Sequence, residues 1–230
     1  MGQHVLPGNP PVTLSLKKSA RARRISLRVS RLDGRVTLTL PSGVPEREAL
    51  DFAREKADWL RAQLDGRPAD VTVRHGALMP YRGQMMRIES GAGRAVRAEG
   101  TVLFVPGAPD RCAARLAGFL KAAARDALAE ASDRYAVRLG KGYDRITLRD
   151  TRSRWGSCSS TAGLMYSWRL IMAPPAVLDY VAAHEVAHLA QMNHSPKFWA
   201  EVARIHGPHE AQRRWLRDEG SALHRYRFDG

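Results

Sequence analysis

The segment Val181-Ala-Ala-His-Glu-Val-Ala-His-Leu-Ala-Gln191 constrains this chain more than any other. Between Val181 and Ala190 only His184, Glu185 and His188 are not small or apolar. A helix of that composition is apolar on nearly every side and has to be buried. Pro174-Pro175 precedes it, and proline is tolerated in a first helical turn, so the spacing predicts a helix from about Ala176 to Met192. Burying two imidazoles and a carboxylate without partners is costly, and a divalent cation compensates all three at once. On an α-helix His184 and His188 are one turn apart and face the same side, where both can meet one metal ion. Glu185 sits about 100° round the helix. That is the position of a general base beside metal-activated water, not of a ligand.

Catalytic zinc normally takes three protein ligands and leaves one position open, so two imidazoles are one too few. His194 follows His188 by six residues, and the turn Met192-Asn-His-Ser-Pro196 brings it back toward the helix, giving H-E-x-x-H-x5-H. Cys158 offers a Cys-His-His set instead, and Glu201, Glu210 or Glu219 would give His-His-Glu. His194 is the favoured third ligand. His206 and His209, in the following segment, read more simply as surface groups or as groups around the site.

The rest of the chain is ordinary in composition, with 44% hydrophobic and 26% charged residues among 230, which excludes collagen, coiled coil and wholesale disorder. No apolar stretch approaches the ~18 residues of a membrane-spanning helix. Met1 to Pro11 lacks the apolar core of a secretory signal, and two cysteines make no disulfide framework, so a reducing cytoplasm is expected. The charge is less ordinary. There are 37 Lys and Arg against 23 Asp and Glu, and Lys17 to Arg35 alone holds eight basic residues opposed only by Asp33. Such a stretch suits nucleic acid, or is simply a solvated strand face.

Alternating runs Val12–Leu16, Ile25–Val29 and Val36–Leu40 predict strands, the last two joined as a hairpin at Asp33-Gly34. Glu46 to Leu64 has helical spacing and ends at Gly66-Arg-Pro68. Short strands are expected near Val71–Arg74, Met85–Glu89, Val96–Ala98 and Val102–Val105. Pro106-Gly-Ala-Pro-Asp110 is the expected domain boundary, with a long helix from Asp110 to Arg138 beyond it, closed by Gly140-Lys-Gly142. Ile146–Leu148 and Gly163–Leu170 read as strands, and one or two helices fill Lys197 to Leu223. Between those strands, Ser153-Arg-Trp-Gly-Ser-Cys158 is a tight polar segment. Arg154 and Trp155 there suit a substrate cleft, or Gly156 serves a structural turn with Trp155 packed and Cys158 buried.

The blocks Arg24-Ile-Ser-Leu-Arg28, Lys56-Ala-Asp-Trp-Leu60, Ser153–Cys158, Trp168-Arg-Leu-Ile171, Ala173-Pro-Pro175, Tyr180–His188 and Met192–Trp199 resemble the YgjP-like metal-dependent hydrolases. That is a zincin family, similar in turn to SprT- and Spartan-type proteins, in which a third histidine completes the metal site. The resemblance implies His184, His188 and His194 as ligands of one Zn2+ ion and Glu185 as base. It also implies a zinc metallopeptidase acting on peptide or protein substrates. Ser167 departs from the family's asparagine before Trp-Arg-Leu, which touches local hydrogen bonding only. The expected fold is α+β: a β-rich, basic region over 1–106 with one helix, then over 107–230 a zincin-like helical core with a small antiparallel sheet. The alternative is a basic, nucleic-acid-associated protein whose metal is structural or acts on DNA-bound proteins. No membrane partner is expected.

Overall fold

Of three alternating runs at the start of the chain, Val12–Leu16 and Val36–Leu40 bury every second side chain, as a strand lying on a core must, while Leu27 and Val29 of the run between them are half-buried. In the computed structural model they form, with a further short strand, one sheet of β1 (Gln3–Leu6), β2 (Val12–Ser19), β3 (Ser26–Val29) and β4 (Val36–Pro41). Its order is β1-β2-β4-β3, with β2 and β4 parallel and the other pairs antiparallel. The β3–β4 pairing is the expected hairpin. The structure describes residues 2–30, 34–65 and 69–228, so Arg31 and Asp33 at that hairpin, and the stop Gly66-Arg-Pro68, lie outside the described residues.

The single helix expected over Glu46–Leu64 is two, α1 (Glu46–Glu55) and α2 (Ala57–Asp65), broken at Lys56. The pieces pack on different strands, α1 on β4 and α2 on β2 and β3, which one straight helix would not do. Ala49, Ala53 and Leu60 are buried against Leu14, Leu38 and Leu40. This N-terminal unit, Met1–Ala69, has a core of its own.

The second unit is Asp70–Gly230. It opens with β5 (Val71–Thr72) and then a sheet of β6 (Leu78–Tyr81), β7 (Gln84–Gly91), β8 (Arg97–Glu99) and β9 (Val102–Pro106), in the order β6-β7-β9-β8. A 3-10 turn, Pro109–Arg111, leads into α3 (Cys112–Leu139), so Asp110 lies in that turn and is not the helix cap. The 28-residue helix turns Leu116, Leu120, Ala124, Leu128, Ala131 and Tyr135 inward at three- and four-residue spacing. It stops at Gly140, whose φ of 75° needs no side chain and lets its N–H close on Ala136. The boundary expected at Pro106–Asp110 therefore falls inside this unit. Leu103 and Val105 of β9 share one core with Leu116 and Leu120 of α3, and proline and glycine there mark only a turn.

A three-stranded sheet follows, of β10 (Arg145–Arg149), β11 (Gly156–Cys158) and β12 (Gly163–Ser167), in the order β10-β12-β11. It is mixed and not antiparallel throughout: β11 and β12 form a hairpin, while β10 joins the far edge of β12 in parallel. The strand expected over Gly163–Leu170 turns at Trp168 into a 3-10 segment, Trp168–Met172. Then come α4 (Pro175–Ala187), α5 (Pro196–Ile205), α6 (Glu210–Asp218), a 3-10 segment over Gly220–Arg225, and β13 (Tyr226–Arg227) in parallel with β5. The chain is α+β. Among the described residues no helix is long and apolar enough to cross a membrane.

Candidate metal centre

Helix α4 starts as its sequence implies, with Pro175 in the first turn and nine of its residues buried, Glu185 among them. It ends at Ala187, earlier than the expected Met192. Ala190 and Gln191 both turn their N–H back to the Ala187 carbonyl, and His188 caps the end. The His188 Nδ1–H donates to the Gln191 carbonyl at 3.0 Å, which leaves Nε2 as the free nitrogen. Asn193 Oδ1 then accepts from the Ser195 N–H at 3.2 Å, and Ser195 caps α5 through the Phe198 N–H. This turn aims His194 back at α4.

The three imidazoles converge. One nitrogen from each of His184, His188 and His194 lies within 4.8 Å of the other two. The Nε2 atoms of His184 and His194 are 3.0 Å apart. Two nitrogens sharing one ion at ~2.0–2.1 Å in tetrahedral geometry stand roughly 3.4 Å apart, so the donor set is already near the spacing a small divalent cation requires. Phe198, with none of its surface exposed, lies beneath all three rings at 4.9, 4.4 and 4.8 Å between centroids. Trp199 stacks on His194 at 5.7 Å and on His209 at 5.7 Å. His209 in turn stacks on Tyr180, whose hydroxyl lies 3.3 Å from His184 Nδ1. Each imidazole is thus held by packing or by a hydrogen bond.

Cys158 is not in this cluster; it lines the same cleft. Burial and the nearby Glu185 push its thiol up to about 11. Glu201 is paired with Arg204, and Glu210 accepts from the His209 N–H, so neither turns to the imidazoles. Burial, and then the neighbouring imidazoles, push His184 down to about 3, so its ring is neutral and its lone pair free. His188 moves down for the same first reason.

Glu185 is 5% exposed. Burial pushes its carboxyl up to about 8, and the positive charge of Arg154 opposes that rise. Among the described residues it forms no ion pair. β11 runs beside α4, and a Cβ at Gly156 would stand 2.6 Å from both Cγ and Oε1 of Glu185. Gly156 therefore has a role the sequence reading missed: it is a strand residue required for close approach, not for a turn. Trp155 sits on His224 at 5.2 Å and against Gly220, and with Tyr180, Val181 and Leu216 walls a cavity of about 240 Å³ at Glu185. A second, open cleft of about 440 Å³ joins the three imidazoles and Glu185 to Ser153, Arg154 and Cys158. Ser167 is buried, and its Oγ has no hydrogen-bond partner among the described residues.

The basic stretch lies on the other unit, where Lys17, Lys18, Arg21, Arg23, Arg24 and Arg28 are exposed. The family model described as "YgjP-like, metallopeptidase domain" matches residues 23–219. The solved structure of the metallopeptidase zymogen of Pyrococcus abyssi abylysin is similar at 18% identity and a TM-score of 0.36, over 40% of this chain and 95% of that one. No curated protein matches the chain.

Proposed function

Because the chain belongs to the YgjP-like metallopeptidase family, we propose that it is a zinc-dependent peptidase in which His184, His188 and His194 hold one ion and Glu185 is the general base. The observation that carries this reading is the convergence of three imidazole nitrogens beside a buried carboxylate that has no ion-pair partner among the described residues. Three imidazole nitrogens suit zinc, and the open cleft leaves a fourth position for water or substrate. When bound, the ion supplies Lewis acidity toward a carbonyl oxygen and makes water acidic enough to react near neutral pH.

The chain's own residues do the rest. Glu185 accepts the proton of the attacking water at a carboxylate oxygen and returns it to the departing amine. Arg154 favours the ionised carboxylate that this step needs. Gly156 keeps β11 close enough to hold the carboxylate in one place. Tyr180 and the Gln191 carbonyl orient His184 and His188 through their Nδ1 atoms. The substrate class is peptide or protein. A cytoplasmic setting belongs to the same reading, since both cysteines are free.

Glu185→Gln is expected to keep one metal ion per chain and to lose peptide hydrolysis by about 10²–10⁴-fold, the usual worth of general-base catalysis. Metal analysis beside a peptide-cleavage assay checks this; a Glu185→Gln protein with full activity overturns the mechanism. His194→Ala is expected to lose metal, and unchanged metal content there removes His194 from the ligand set.

The exposed basic residues of the N-terminal unit favour a second reading, docking on a phosphate backbone. Affinity for random duplex DNA that falls steeply with salt supports it, and a slope near zero removes it.

A further inference from the structure

The outer face of the three-stranded sheet carries a groove of about 580 Å³, and of its lining residues the chemistry above uses Arg154 alone. Strand alternation puts Arg145, Thr147 and Arg149 of β10 on that face, while Ile146 and Leu148 pack inward on the core. The register aligns Thr147 with Met165 and Met165 with Ser157, so one row of side chains crosses all three strands. The groove and the cleft at the imidazoles are continuous: Ser153, Arg154, Ser157 and Cys158 line both.

Charge gives the groove its character. Among the described residues three guanidiniums line it, those of Arg145, Arg149 and Arg154, and no carboxylate does. Arg145 leans on Asp144 at 3.5 Å. Arg149 and Arg154 are exposed and have no ion-pair partner among the described residues. Along an extended strand, Arg145 and Arg149 are about 13 Å apart on one face, a spacing that an extended peptide matches with its own residues i and i+4. None of the lining residues is aromatic, whereas channels for single-stranded nucleic acid usually offer aromatic platforms for the bases. Guanidinium forks suit carboxylates in pairwise geometry.

We propose that this groove is the substrate subsite for acidic side chains, so that the peptidase prefers segments rich in Asp and Glu on one side of the cleaved bond. The proposal rests on the peptidase reading above and names the substrate class of that same site.

Binding and cleavage are tested separately. Binding is measured by fluorescence anisotropy on the zinc-loaded Glu185→Gln chain, with two peptides identical except that four Glu in one are Gln in the other. The acidic peptide is expected to bind about tenfold more tightly at low salt, the sum of two or three partly exposed ion pairs, and to lose that advantage as salt rises. In Arg145→Gln/Arg149→Gln, which changes two exposed side chains, the ratio should fall to near one. Equal binding by the parent chain, or a ratio that survives the double change, overturns the proposal. An oligonucleotide of mixed sequence whose affinity falls in the double variant while the peptides' does not also overturns it, in favour of phosphate. Wild-type kcat/KM on the same peptides reads the other question. Cleavage of both at equal rates removes the acidic preference and leaves the peptidase, whereas acidic preference in binding with no cleavage of either keeps the groove and removes the peptidase.

Discussion

At position 156 a missing side chain decides where a carboxylate can stand. Gly156→Ala would drive a methyl group into Glu185, and neither β11 nor a helix with nine buried residues has room to give. The expected result is unchanged metal content with kcat lowered about 100-fold, the scale of a 1 Å misplacement; a variant of normal kcat would show that the carboxylate tolerates displacement. Tyr180→Phe acts differently. It removes the hydroxyl that orients His184, and is expected to weaken metal binding about tenfold in a chelator competition. The three imidazoles and Glu185 were legible in the sequence because a helical period and a short turn carry them. Gly156 was not, since a glycine in a polar segment reads as a turn and its contact lies far along the chain. Phe198 was hidden for another reason: an apolar residue one turn into a helix reads as core, and here it is core and the floor of the imidazole cluster at once.

Elements were read well where the pattern was long and poorly where it was short. The length of α3 follows from its inward leucines and Gly140, whereas β1, β6 and β11, of three or four residues, carry too little alternation to announce themselves. α4 shows the opposite error, because Leu189 and Ala190 continue its apolar run after the backbone has already turned. The last 3-10 segment gives the prediction at this scale. Arg169, buried and paired with Asp150, donates to the carbonyls of Leu223 and Tyr226, and so clasps the segment that holds His224. Burial, with Arg169 adding to it, pushes His224 down to about 4, and Asp150 only partly opposes this. The unfolded chain therefore takes up this proton first, near its ordinary pKa of ~6.5. Stability from the neutral ring is complete above about pH 6.5 and drains away as pH falls toward 4. His224→Asn should flatten that dependence, so the melting temperatures of the two proteins should draw together between pH 7 and pH 5. Parallel thermal melts decide it, and a constant gap counts against the buried ring as the cause.

Across the whole molecule, each of the two units has its own core, and the imidazole cluster with its supports lies wholly within Asp70–Gly230. Residues 70–230 expressed alone are expected to fold and to take up one metal ion per chain, measured by far-UV circular dichroism and metal analysis. A fragment that stays unfolded would make the N-terminal unit part of the catalytic fold. The boundary was misplaced in the sequence because turn-forming residues punctuate a chain whether or not a core ends there, and the shared burial of β9 with α3 exists only in three dimensions. The pairing of β13 with β5, fastened by Arg227 on Asp70 at 2.7 Å, brings the first and last strands of this unit side by side. Entry and exit thus share one doorway. Such a body can be spliced into a surface loop of a host protein, or have its old ends joined and new ones opened elsewhere, with only a short tether to bridge the gap.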